Sequence, residues 1–190
     1  MSNPIIKTAV RTIFSLTSRD KAAAQIRATL ANYLRLAALV DRSSGDRPVL
    51  APQMVGIDED MRDWSFFMIL EHDAIVNRSI TSIVAQLARG EEPVGVGAID
   101  PKKDVMPSAN PGEEQVENFR RSVEEHLETV ARLGPLRGTR TKAHPIFGQF
   151  DAHKWNCMFG FHLNLHFKQA EHVVAQIRAK KDRSSEKTGA

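Results

Sequence analysis

The chemistry this sequence can offer rests on three histidines. His162 and His166 stand four residues apart in a run of helical period, so their rings share one helix face and can converge on a single atom. Trp155, Phe159, Gln169 and Val173 lie on the same face, where an imidazole without a partner would lose its hydration and gain nothing in return. A divalent metal ion is one such partner; hydrogen bonds between the rings, to waters or to carbonyls are the alternative. His72 falls in the apolar stripe of an earlier helix, in phase with Met68, Ile80, Ile83 and Leu87. Three neutral imidazoles on one ion leave a fourth position open, which is the arrangement of a site that binds and activates a small molecule.

The remaining polar candidates read as structure. Glu71 and Asp73 flank His72 but point about 100° to either side of it, which makes them solvated helix positions. His126 sits beside its helix's stripe, at the surface or boundary, and His153 and His172 fall off the inner stripe, toward solvent. Tyr33 is in phase with a core stripe. His144 precedes Pro145 and reads as a turn residue held extended by that proline. Cys157, five residues before His162, points away from it and is expected to be a core thiol.

The elements that must position these residues are helices. Pro4 to Leu16 forms a short one. A long helix follows from Ser18 or Asp20 to Val40, with Ile26, Leu30, Tyr33 and Ala37 inward. Arg42 to Gly56 is a loop, and the acids Asp58, Glu59, Asp60 and Asp63 suit the start of a second helix that ends near Ala88. A third runs from Glu113 to Leu133 with Val116, Phe119, Val123, Leu127 and Val130 inward, stopped by Gly134 and Pro135. The fourth starts after Asp151, an N-cap flanked by Phe150 and Trp155 in the hydrophobic-staple arrangement. No strand alternation is convincing, so the expected fold is all-α, a four-helix bundle. A helix of this length is roughly 30 Å long. The connection from Gly90 to Gly112 is long enough to run that distance, which allows an up, down, down, up order.

Composition narrows the function classes. The sequence pI of about 9.2 suggests a nucleic-acid binder, but from Arg178 onward five basic residues face only Asp182 and Glu186. That excess equals the whole formal net charge of +3. The body is neutral overall and carries no basic patch interleaved with aromatics, so no nucleic-acid partner is expected. No apolar run reaches membrane-spanning length. The single cysteine excludes an internal disulfide and suits a reducing, cytoplasmic setting. Residues 1–179 are expected to form one domain, and 180–190 a flexible basic tail. Helix four has more apolar residues than one inward stripe needs, which suggests a homodimer formed through helices.

The sequence resembles the DinB/YfiT-like superfamily of metalloenzymes. The likeness lies in WSFFMILEHDAIVNRSI around His72, the loop HPIFGQF from His144 to Phe150, and WNCMFGFHLNLHFKQAEHVV with its HxxxH. It implies a four-helix bundle in up, down, down, up order and one divalent ion, zinc, nickel or iron, held by His72, His162 and His166. Homodimers are common in that superfamily. Some of its members are S-transferases or isomerases that use a low-molecular-weight thiol on a small-molecule substrate. A metal-dependent hydrolase and a non-catalytic metal-binding, stress-associated protein remain the competing readings, because no acid, base or substrate clamp can be assigned beside the histidines.

Overall fold

The computed structural model describes residues 4–93 and 104–188, with side-chain surroundings given as far as Lys181. Part of the connection expected between helices two and three, and the end of the basic tail, lie outside the described residues. Six helices, α1 (Pro4–Leu16), α2 (Arg19–Ala37), α3 (Arg42–Gly45), α4 (Phe66–Ala88), α5 (Glu114–Arg132) and α6 (Ala152–Thr188), account for most of the described chain. Four of them, α2, α4, α5 and α6, make an all-α four-helix bundle. Around the bundle the order is α2, α6, α4, α5.

Side-chain pairs give the direction of each helix. On α2 and α6, Gly160 faces Ile26 and Phe167 faces Tyr33, so both chains advance together. On α4 and α5, Asn77 bonds Ser122 and Thr81 bonds His126, again in parallel. Tyr33 meets Phe119 while Arg19 reaches the Leu133 carbonyl, which makes α2 and α5 antiparallel. The order is therefore up, down, down, up. Helices α2 and α6 approach closely: a Cβ built on Gly160 would stand 3.2 Å from Ile26 Cγ1.

Local chemistry sets the helix ends. Ser18 accepts from the Lys21 amide and Asp151 from the Lys154 amide, each satisfying an orphan donor of a first turn. Helix α4 starts later than its acids suggest. Glu59–Met61 is a 3-10 turn, β2 (Asp63–Trp64) then pairs antiparallel with β1 (Val49–Leu50), and the true N-cap is Ser65, extended and accepting from Met68 N.

The HPIFG loop is likewise a hairpin. Strand β3 (Lys142–His144) pairs with β4 (Gly148–Phe150), and Gly148 takes the positive φ of 78° that the turn requires. His144 is a turn residue as expected, its Nδ1 accepting from Ile146 N at 3.1 Å.

Helix α1 packs across α6 outside the bundle, burying Val10 and Phe14. That corrects the expectation for His153, which is buried rather than solvent-side: its Nε2 donates to the Phe14 carbonyl at 3.0 Å. Cys157 lies buried one turn further on, a core thiol as anticipated. The apolar surplus of α6 is largely taken up inside, with Phe161 its exposed large apolar residue.

Candidate metal centre

The antiparallel crossing of α4 and α6 brings His72 against His162 and His166. Ring centroids are 5.2 Å apart for His72 and His162, 4.6 Å for His72 and His166, and 4.6 Å for His162 and His166. Nε2 of His72 stands 3.3 Å from Nε2 of His162. Two nitrogens bound tetrahedrally to one zinc at ~2.0–2.1 Å are themselves about 3.3 Å apart. The spacing observed fits two ligands on one ion, and it equally fits a hydrogen bond between the two rings.

The outer edges of the rings fix which nitrogen carries the proton. His72 Nδ1 is 2.7 Å from the Val105 carbonyl, an acceptor, so Nδ1 holds the hydrogen and Nε2 keeps its lone pair. His166 Nδ1 is 3.0 Å from Gln169 Oε1. The Gln169 amide is not free to flip, because its Nε2 donates to Met61 O at 2.6 Å. His166 Nε2 is therefore also a lone-pair nitrogen. Metal-bound histidines are held in this way, with the distal N–H donated to a carbonyl, amide or carboxylate.

Asp73 joins the cluster, contrary to its reading as a solvated residue. It is fully buried, with Oδ2 accepting from the Tyr33 hydroxyl at 2.8 Å and Oδ1 3.3 Å from His162 Nδ1. One ligand atom from each of His72, Asp73, His162 and His166 lies within 4.8 Å of the others, so this His/Asp cluster can hold a metal ion. Asp73 Oδ1 and His162 Nδ1 are buried and have no hydrogen-bond partner among the described residues. A carboxylate left so in the interior is costly without a cation nearby.

Electrostatics point the same way. Desolvation, reinforced by a neighbouring imidazole, pushes His72 and His162 down to about 4 and His166 to about 3. All three are neutral near pH 7, the form that binds a metal. Desolvation raises the Asp73 carboxyl against the opposing pull of His166, His72 and Tyr33. Trp64 walls the site, its ring 5.0 Å from His72 and stacked 6.2 Å from His166. His72 and His166 are 2 % exposed, and the His162 side chain, at 17 %, is the more accessible member.

The structure thus unites the three expected histidines and adds Asp73, Tyr33 and Gln169 around them. It leaves His144 on the hairpin, near enough that its imidazole adds to the lowering of His162, and His172 half-buried further along α6. It also corrects His126, which is a core residue rather than a boundary one. His126 is 0 % exposed, with Nδ1 2.9 Å from Thr81 Oγ1 and Nε2 3.1 Å from Asn156 Oδ1. With Asn77 and Ser122 it forms a separate polar seam between α4, α5 and α6. Asp73, Asn77 and Thr81, each four residues apart on α4, were the available signal for both clusters.

Fold and site together define a four-helix-bundle protein with a buried His/Asp cluster able to hold a metal ion. Among solved structures it is similar to the crystal structure of TT2238, described as a four-helix bundle protein. The TM-score is 0.54 at 23 % identity, covering 80 % of this chain and 96 % of that one. That similarity shows the fold alone. No protein-family model matches the chain, and no curated protein matches it.

Proposed function

We propose that the chain is a metalloprotein of the DinB/YfiT type, holding one divalent ion (zinc, nickel or iron) on His72, His162 and His166. On this reading it is a thiol-dependent S-transferase or isomerase acting on a small electrophile. The observation that carries the metal is the convergence of the three rings, with the lone pairs of His72 Nε2 and His166 Nε2 left free by their Nδ1 bonds and His162 Nε2 3.3 Å from His72 Nε2. The reaction class rests on the sequence resemblance. An ion held by these histidines would supply Lewis acidity that lowers the pKa of a bound thiol or water.

The chain's own residues define the rest. Val105 O and Gln169 hold the rings of His72 and His166 in register, while Trp64 covers one side. Cys157 cannot serve as the nucleophile, since its thiol faces Phe14 and α1, so a low-molecular-weight thiol would have to come from solution. Purified protein should contain about one divalent ion per chain and lose it in His162→Ala and His166→Ala. Metal-loaded protein should then accelerate transfer to chloro-nitroaromatic or maleylpyruvate-like electrophiles in the presence of glutathione, bacillithiol or mycothiol. Full metal retention in both variants would sink the assignment, and turnover without any thiol would convert it to hydrolysis.

A second reading, a metal-binding protein without turnover, is favoured by the burial of the centre, where His162 alone has appreciable exposure. Absence of activity in the same screen with fully loaded protein supports it.

We propose a cytoplasmic homodimer. No described helix is long and apolar enough to cross a membrane. The exposed apolar residues of α1, Ile5, Ile13 and Leu16, add to Phe161 of α6 as apolar surface that a second copy would cover. Light scattering that gives a monomer mass near 21.2 kDa at micromolar concentration would count against the dimer.

A further inference from the structure

We infer that Tyr33 and Asp73 act as a positioning pair, orienting His162 from outside the coordination sphere rather than supplying a fourth ligand; the inference rests on the metal reading above. An imidazole presents only one of its two nitrogens to an ion. The Nε2 edge of His162 is the one that meets His72 Nε2 at 3.3 Å, so Nδ1 is turned outward, toward Asp73 Oδ1 at 3.3 Å. These two atoms are the buried, unpartnered pair at the centre, one able to donate and the other able only to accept when ionised.

Tyr33 determines where that carboxylate points. Its hydroxyl lies 2.8 Å from Asp73 Oδ2 and 3.2 Å from the Leu163 carbonyl, so one buried group from α2 touches α4 and the α6 turn next to His162. The ring is held between Phe119 and Phe167, with centroids 4.6 and 5.1 Å away, which leaves the hydroxyl little freedom to move. With Oδ2 occupied, Oδ1 is the oxygen left for His162. A carboxylate behind a ligand histidine fixes its tautomer and raises its basicity, and loss of such a partner typically weakens metal binding by about 10- to 100-fold.

The experiment measures zinc affinity by chelator competition on the full chain. It compares wild type, Tyr33→Phe, His162→Ala and the double variant, with circular dichroism confirming the fold of each. Tyr33→Phe should weaken zinc at least about tenfold, and should have no further effect once His162 is absent, because it acts through that ring. An undiminished effect in the His162→Ala background marks a general structural role and overturns the pair. Unchanged affinity in Tyr33→Phe, with zinc lost from His162→Ala, overturns the pair and leaves the metal reading standing. Full affinity in His162→Ala overturns the metal reading itself.

Should Tyr33→Phe fail to fold, Asp73→Asn takes its place. The amide keeps the carboxylate's shape but has one accepting atom, which cannot serve Tyr33 and His162 together, so zinc should again weaken. X-ray absorption of the zinc form completes the test. An oxygen lost from the first shell in Asp73→Asn would put Asp73 on the ion and refute an outer position.

Discussion

His126 lies flat on Phe159, ring centroids 3.6 Å apart and 10° from parallel. The imidazole is fully enclosed, and desolvation lowers it to about 4, against the opposing pull of its bond with Asn156. This residue gives the chain an acid limit that can be separated from the His72–His162–His166 cluster.

The sign follows from proton linkage. An unfolded histidine takes up a proton near 6.5, while folded His126 resists until about 4. Between those values the unfolded state binds more protons, so stability rises with pH through the window and falls as acid is added. One such group contributes a slope of at most about 1.4 kcal/mol per pH unit. Urea unfolding of metal-free protein from pH 4 to 8 should show a shallower slope for His126→Gln than for wild type. Equal slopes would mean that His126 already carries a proton in the fold.

Gln169 offers a second test of the centre from outside the histidines. It links His166 Nδ1 to the Met61 carbonyl through an amide whose orientation both bonds enforce. Gln169→Leu fills a similar volume but removes the acceptor, so zinc affinity should drop about 10- to 100-fold while the helix content holds. Chelator competition checks it, and unchanged affinity would show that the His166 tautomer is set by something else.

The sequence made the clustered histidines visible because helical period alone places His162 and His166 on one face and His72 in a stripe. Asp73 was harder to see, marked only by its row with Asn77 and Thr81 at four-residue spacing. A residue next to His72 on a helix points about 100° away, and only the arrival of Tyr33 from α2 makes that direction interior. His126 was missed for a related reason: α5 turns slightly from its most apolar stripe and buries Gln115, Ser122 and His126, leaving Val116 and Leu127 partly exposed. Polar seams distort an amphipathic pattern in this way because hydrogen bonds with neighbouring helices replace apolar burial. His153 depended on α1, whose docking on α6 no periodicity within α6 could signal. The strands β1 to β4 are two or three residues long, too short for alternation to register.

Gly160 marks where α2 and α6 come closest. A Cβ there would stand 3.2 Å from Ile26 Cγ1, so alanine gains helix propensity but presses on a buried side chain. The two effects are of similar size, about 1 kcal/mol each, and Gly160→Ala should be near neutral. Gly160→Leu has no such offset and should cost about 2 kcal/mol or more by overpacking. Urea midpoints of the two variants decide it; a tolerated leucine would mean the helices separate easily.

Cys157 and His153 form a pair that resembles a nucleophile and its base, since Sγ lies 3.7 Å from Nε2. Their surroundings argue against that role. His153 Nε2 is committed to the Phe14 carbonyl, an acceptor, so this nitrogen carries the hydrogen and cannot take the thiol's proton. Burial pushes the thiol up to about 11 from 9, and the same burial lowers His153, so neither member favours a charged pair. At pH 8 the thiolate fraction should fall about a hundredfold below that of a free cysteine. Folded protein should accordingly react with a disulfide reagent at least that much more slowly than the urea-unfolded chain. Loosening the α1 contact with Phe14→Ala should speed the reaction by exposing the sulfur, provided circular dichroism shows the bundle intact. A thiol in the native wild-type protein that reacts as fast as the unfolded one would overturn this and make the pair a candidate nucleophile.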